Sequence, residues 1–253
     1  QAEQSVVVGH ILGGVQADDI LHLPDMAYLA RLRARPCGSR VAILTISGAI
    51  GALLSDAFVR AGVAVPTLSP QVGRQLHEGI PRYGMVCNPV DLTGTIVTRP
   101  SCGAHALRAI LASGEADFVV VYAPGFLLDR MAPGVSEVAR ASSQLIAMVS
   151  TGEVKERGTL EAAGVPIFDD TTRAVRALAS LAAWQGHQCA IGSGVKAPSA
   201  AHAVAATAML QAWRQQDRRC LGDDEADDYL ASLGVPVAGQ AQTRQAGVGL
   251  LVR

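Results

Sequence analysis

The sequence predicts a doubly wound, flavodoxin-like α/β fold, a parallel sheet with helices on both faces and helical pieces of neighbouring domains at its flanks. Three observations carry that expectation. Short continuous apolar runs alternate with helical stretches from Val41 to about Trp184, the pattern of strands buried on both faces. Gly62, Gly114 and Gly164 stand where helical stretches stop, as C-terminal glycines do. The chain is 49% hydrophobic but only 4% aromatic, so Ala, Val and Leu must fill the interior, a palette suited to tightly packed α/β layers.

In chain order, Asp18-Asp19-Ile20 and Met26–Leu32 give a short helical lead-in, and Arg35–Arg40, with its Pro and Gly, breaks it. Residues 1–39 are therefore expected to be the tail of a preceding domain. Strands are expected at Val41–Ile46, Phe118–Tyr122, Leu145–Val149 and Val165–Phe168, with a weaker one at Val63–Leu68. Helices are expected at Gly48–Ala61, Gln71–Glu78, Ala104–Ala112, Val135–Ala141, Val154–Ala163 and Thr172–Ala183. Together these make a flavodoxin-like domain over residues 40–186. The Gly/Ser/Pro-rich stretch Ala190–Ala200 has the composition of a linker, placed at 187–203. Helices at Ala201–Arg214 and Glu225–Leu233, then Gly234 and Val235–Val237, open a further domain over 204–253 that the chain does not complete.

Composition narrows the function. A formal net charge of −1 over 253 residues gives no electrostatic reason for nucleic acid or an anionic membrane as partner. No run approaches the roughly 18 apolar residues of a membrane span. Cys37, Cys87, Cys102, Cys189 and Cys220 form no C-x-x-C pair, which suits reduced thiols in a cytoplasmic protein. His10, His22, His77, His105, His187 and His202 show no i, i+4 pairing of the kind that holds a metal. A nucleophile elbow is absent. The chain is expected to carry no catalytic group and no metal site of its own. The absence of an initiator Met and the abrupt Leu251-Val252-Arg253 end suggest part of a longer polypeptide.

Three helix starts are candidates for a site. Ser47-Gly48-Ala49-Ile50-Gly51 joins the first strand to its helix, where parallel sheets bind ligands. Ser47 is placed to cap that helix. The Gly48–Gly51 amides can cradle a phosphate with the help of the helix dipole. The competing reading is that Gly51 only lets the helix pack close to its strand. A polar loop, Cys87–Gly94, offers Asn88, Asp91, Thr93 and Gly94 to the same crevice, or else a local turn that caps the next helix. Gly152-Glu153 repeats the small-residue helix start after another strand, where Glu153 also suits the dipole without any ligand.

Arg40–Ala49, Leu68-Ser69-Pro70 and Asn88-Pro89-Val90-Asp91-Leu92-Thr93-Gly94 resemble, in order and spacing, the NDP-forming acyl-CoA synthetases of the succinyl-CoA synthetase superfamily. Gly152-Glu153, Glu161–Pro166 and Arg173–Leu178 resemble the closing half of the same domain, and Asp223–Val237 the opening of the family's ATP-grasp region. The resemblance implies an enzyme that joins CoA to a carboxylic acid with ATP or GTP and Mg²⁺. It proceeds through an acyl phosphate and a phosphohistidine, at which two helix N-termini point. It implies that Gly48–Ala61 is one of those helices, and that the partners are CoA-binding and ATP-grasp domains of the same protein or another subunit, in an oligomer. The family's Ser-His-Thr-Gly-type loop is not present, and His10 in Val8-Gly9-His10-Ile11-Leu12 stands in an unlike context. The 253 residues alone are therefore expected to be inactive. A second reading is a non-catalytic regulatory or interaction module derived from such a synthetase.

Overall fold

The computed structural model describes residues 17, 19–36, 38–194, 200–216 and 222–233. Five parallel strands form one sheet: β1 (Val41–Thr45), β2 (Val90–Asp91), β3 (Phe118–Pro124), β4 (Leu145–Thr151) and β5 (Ile167–Phe168). Their order is β2-β1-β3-β4-β5, the flavodoxin-like order. Every residue of β1 is buried, yet its side chains still divide by period two. Val41 and Ile43 join one core with Phe118, Val120 and Phe168, while Ala42 and Leu44 join the other with Val119, Val121 and Ile167. A continuous apolar run is what a strand covered on both faces requires.

The first core is roofed by α1 (His22–Ala30), α2 (Gly48–Arg60) and α8 (Thr171–Gly194). The second lies under α3 (Pro70–Leu76), α5 (Ser101–Ser113), α6 (Gly125–Ala141) and α7 (Arg157–Ala162), with the short α4 (Thr95–Thr98) leading into α5. Phe58 of α2 meets Phe118 of β3 edge to face, centroids 6.1 Å apart.

Four expectations need correction. Val63–Leu68 is not a strand of the sheet. Its pairing is a single bridge, Ala64 with Arg40 just before β1, and the edge strand is Val90–Asp91. The Asn88 side chain occupies the edge of β1 between them, so a full ladder has no room there: Oδ1 accepts the Ile43 amide at 2.9 Å, and Nδ2 donates to Val41 O at 3.0 Å and Pro66 O at 2.9 Å. Secondly, α6 begins at Gly125 rather than Val135 and carries Pro133 in its interior. Pro133 removes one helical amide, and the adjacent Gly134 lets α6 approach Ala104, whose Cβ lies 2.9 Å from where a Gly134 Cβ would stand. The third concerns residues 187–194 of the expected linker, which continue α8 to Gly194, since no proline stops the helix there and glycine costs it only about 1 kcal/mol. Finally, α1, expected in a preceding domain's tail, is bolted to the flavodoxin core. Asp25, 3% exposed, pairs with Arg173 at 2.6 Å. Tyr28 donates to Glu161 at 2.6 Å and accepts the Ile167 amide at 3.0 Å, and Arg176 pairs with Asp19.

The chain divides into two compact units between Ser193 and Gly194. In the second, α9 (Ala200–Gln215) and α10 (Asp223–Ser232) pack together, with Trp213 and Tyr229 centroids 5.7 Å apart. Glu225 caps α10 by accepting the Gly222 amide at 2.9 Å. The expected strand Val235–Val237 and His10 lie outside the described residues.

Candidate functional site

Strand order reverses between β1 and β3, so the chain leaves β1 towards one face and β3 towards the other, opening a crevice at their carboxyl ends. The starts of α2 and α6 flank it. Ser47 is extended at φ −135° and its Oγ accepts the Ile50 amide at 3.5 Å, a weak cap. Thr45 Oγ1 steadies the turn, accepting the Ser47 amide at 2.9 Å and donating to Ser47 O at 3.0 Å. Gly48 and Ala49 are exposed, and their amides meet no acceptor among the described residues. A Cβ on Gly48 would meet nothing within 4 Å. No charged side chain occupies the first turn.

Gly51 has the other role. Its amide closes the first helical turn on Ser47 O at 2.9 Å, so it is not a free donor. A Cβ there would lie 3.0 Å from Thr45 Cγ2 and 3.1 Å from Pro89. The two readings of the Ser-Gly-Ala-Ile-Gly stretch thus divide between its glycines: Gly48 leaves the helix start bare and Gly51 seats the helix. The expected four-amide cradle shortens to Gly48 and Ala49, with Ile50 loosely held.

The Asn88–Gly94 loop does come to this crevice, since Asp91 stands opposite Thr45 and the Leu92 amide donates to Thr45 O at 2.8 Å. Its polar groups are largely spent on itself. Asn88 is committed to the β1 edge, Asp91 Oδ1 accepts the Thr93 amide at 2.8 Å, and Thr93 Oγ1 donates to Thr95 Oγ1 at 3.0 Å. Thr93 holds the left-handed φ of +57° that this turn demands. Gly94 is exposed, with open space around it.

Gly152-Glu153 does not start a helix. Gly152 takes φ +86° and α7 begins only at Arg157, for six residues. The second helix start of the crevice is Gly125 of α6, which sequence reasoning missed because Pro124-Gly125 resembles a turn. A Cβ on Gly125 would fall 1.8 Å from Glu153 O and 3.2 Å from Gly152 O. Gly152-Glu153 therefore forms the backbone wall against which the start of α6 is pressed. The 17-residue α6 has no side-chain cap and no acid in its first turn.

The groups with displaced pKa values belong to packing. Burial first, then the hydrogen bond to Glu161, pushes the Tyr28 hydroxyl up, and burial raises the Cys102 thiol. Asp25 raises Arg173 further. Among the described residues no group of three or more His, Cys, Asp or Glu could hold a metal, and no helix is long and apolar enough to cross a membrane.

The fold and this crevice define a doubly wound α/β domain whose switch point carries a weakly capped helix start with no charged side chain in its first turn, at the place where such sheets bind ligands. The chain belongs to the ligase-CoA domain family, whose model matches residues 41–167. It is 29% identical over 170 residues to the ADP-forming acetate–CoA ligase I of Archaeoglobus fulgidus, covering 67% of this chain and 24% of that protein. It is 31% identical over 157 residues to the alpha subunit of the Pyrococcus furiosus ADP-forming acetate–CoA ligase I, covering 59% of this chain and 33% of the subunit. The chain thus spans a quarter to a third of these relatives. The fold matches that of dinucleotide-forming acetyl-coenzyme A synthetase 1 of Candidatus Korarchaeum cryptofilum, solved with phosphate and ADP, at a TM-score of 0.65 and 17% identity, covering 78% of this chain and 44% of that one.

Proposed function

We propose that this chain is the ligase-CoA part of an acyl-CoA synthetase that joins CoA to a carboxylic acid and forms ADP or GDP. Its relatives in Archaeoglobus and Pyrococcus are ADP-forming acetate–CoA ligases. In this reading the reaction runs through an acyl phosphate and a phosphohistidine carried by another module. The start of α2 stabilises the phosphoryl group. One observation carries it: the Gly48 and Ala49 amides are exposed, unpartnered and unobstructed at the sheet's switch point.

The division of labour follows from that geometry. Fixed backbone donors stabilise developing negative charge without reorganising. They neither accept nor donate a phosphoryl group. Ser47 and Thr45 fix the turn, Gly51 and Pro89 seat α2, and Asn88 holds the β1 edge. In this reading the nucleotide and its Mg²⁺ are held by an ATP-grasp domain and CoA by a CoA-binding domain, in the same protein or a partner subunit. The setting is an oligomer in the cytoplasm. The test incubates the full-length protein with ATP or GTP, Mg²⁺, CoA and a panel of carboxylic acids. Acyl-CoA and nucleoside diphosphate should appear in equal amounts. A full-length protein that forms neither with any acid, while folded, favours the regulatory module instead.

A further inference from the structure

A second cavity, of about 500 Å³, lies at the opposite, amino-terminal end of the sheet. It is bounded by the chain after α1, the end of α6, the start of β4 and the end of α7. Arg31, Arg33 and Arg140 line it. All three are exposed, and none of their side chains has a hydrogen bond or ion pair among the described residues.

Arginines near helix C-termini ordinarily serve the last carbonyls. Here that task is filled by others. Arg35 donates to Leu29 O and Ala30 O, both at 2.8 Å, at the end of α1. The Ser142 amide serves Ala139 O at the end of α6, and the Gly164 and Val165 amides serve Glu161 O and Leu160 O at the end of α7. The one carboxylate in the lining, Glu161, accepts the Tyr28 hydroxyl at 2.6 Å and stands 3.7 Å from Arg157. Three guanidiniums therefore line one cavity with a single carboxylate, which Tyr28 and Arg157 already engage, so positive charge is in excess there.

We propose that this cavity binds a phosphorylated small molecule carrying at least two negative charges, of the diphosphate class. Guanidinium forks match phosphate oxygens two at a time, and three forks call for more acceptor oxygens than one carboxylate provides. The volume falls within the roughly 300–1,000 Å³ of small-ligand pockets. Leu32, Ile146 and Ala163 supply an apolar wall for the uncharged remainder of the ligand. The site is separate from the α2 start, being at the other end of the strands.

The test is calorimetric titration of the 253-residue chain with inorganic pyrophosphate and, separately, ADP, at low and moderate salt. Binding of both probes to this cavity identifies the diphosphate as the recognised part, and a requirement for ADP assigns the wall a role. The variant R31A/R33A/R140A should weaken binding at least ten-fold with a shallower salt dependence. The binding that R31A/R33A/R140A weakens should persist in G48D. The matched variant R60A/R74A/R130A, which removes three exposed arginines elsewhere, should leave it intact, and unchanged thermal unfolding of each variant shows that folding is preserved. Equal losses from both triple variants, or no binding of either probe at millimolar concentration, overturn the proposal. A loss confined to G48D also overturns it, while leaving the function assigned to the α2 start standing.

Discussion

Replacing Asn88 with Ala strips the β1 edge of three hydrogen bonds at once. The Ile43 amide loses Oδ1, and the Val41 and Pro66 carbonyls lose Nδ2. Val41 and Ile43 are completely buried, so water cannot readily replace the lost partners. Three bonds at about 1 kcal/mol each give about 3 kcal/mol, and the desolvated backbone groups left behind raise the loss to about 3–5 kcal/mol. Asn88 also holds a left-handed φ of +80°, which alanine tolerates at a further cost of about 1–2 kcal/mol. Asn88→Gly removes the same bonds while relieving that strain and should fall between alanine and wild type. The assay is urea unfolding of the three proteins, with the slope m checked for constancy. A loss below about 1 kcal/mol in Asn88→Ala, or a glycine variant less stable than the alanine one, refutes the clasp.

Gly125→Ala should destabilise by about 3 kcal/mol, the upper part of the overpacking range, because the new methyl meets Glu153 backbone at 1.8 Å; urea unfolding measures it, and a neutral result contradicts the packing of α6 on that loop. Tyr28 has its hydroxyl pKa raised above the ordinary 10.0, so the stability it adds is complete below pH 10 and is lost as pH rises further. Tyr28→Phe should lower stability at pH 8 and flatten that alkaline decline; an unchanged pH profile argues against the α1 anchor. Limited proteolysis should leave a core fragment that retains α1 through Asp25–Arg173 and Tyr28; early loss of α1 contradicts its docking.

The layered fold was legible because its signals are local. Val41–Thr45 is apolar throughout and Ser47 is a capping residue, so strand, turn and helix follow in order. The edge strand was not legible, because two residues, Val90 and Asp91, suffice where the Asn88 side chain, 45 and 47 positions from its β1 partners Ile43 and Val41, supplies the rest of the ladder. Asn88 resembled a ligand residue for the same reason: polarity reveals that a side chain seeks partners, not that β1 provides them. The start of α6 hid behind Pro124-Gly125, whose glycine is required by a backbone wall distant in sequence. Docking of α1 rests on Asp25–Arg173, a pair 148 residues apart, which no periodicity discloses. The bare Gly48-Ala49 start was visible as composition, but which glycine is open and which is packed depended on Pro89.

The central claim is that the start of α2 stabilises a phosphorylated histidine in the complete enzyme. The direct measurement labels the full-length protein with γ-phosphate-labelled ATP and Mg²⁺, and compares wild type with Gly48→Ala and Gly48→Asp. Label should be acid-labile and base-stable, as phosphohistidine is. Gly48→Ala should label like wild type, because its methyl enters open space. Gly48→Asp should keep its fold, since an acid suits a helix start, yet lose label at least ten-fold by repelling the phosphoryl group. Equal labelling of all three proteins, or label found on a residue within this chain, would contradict the account.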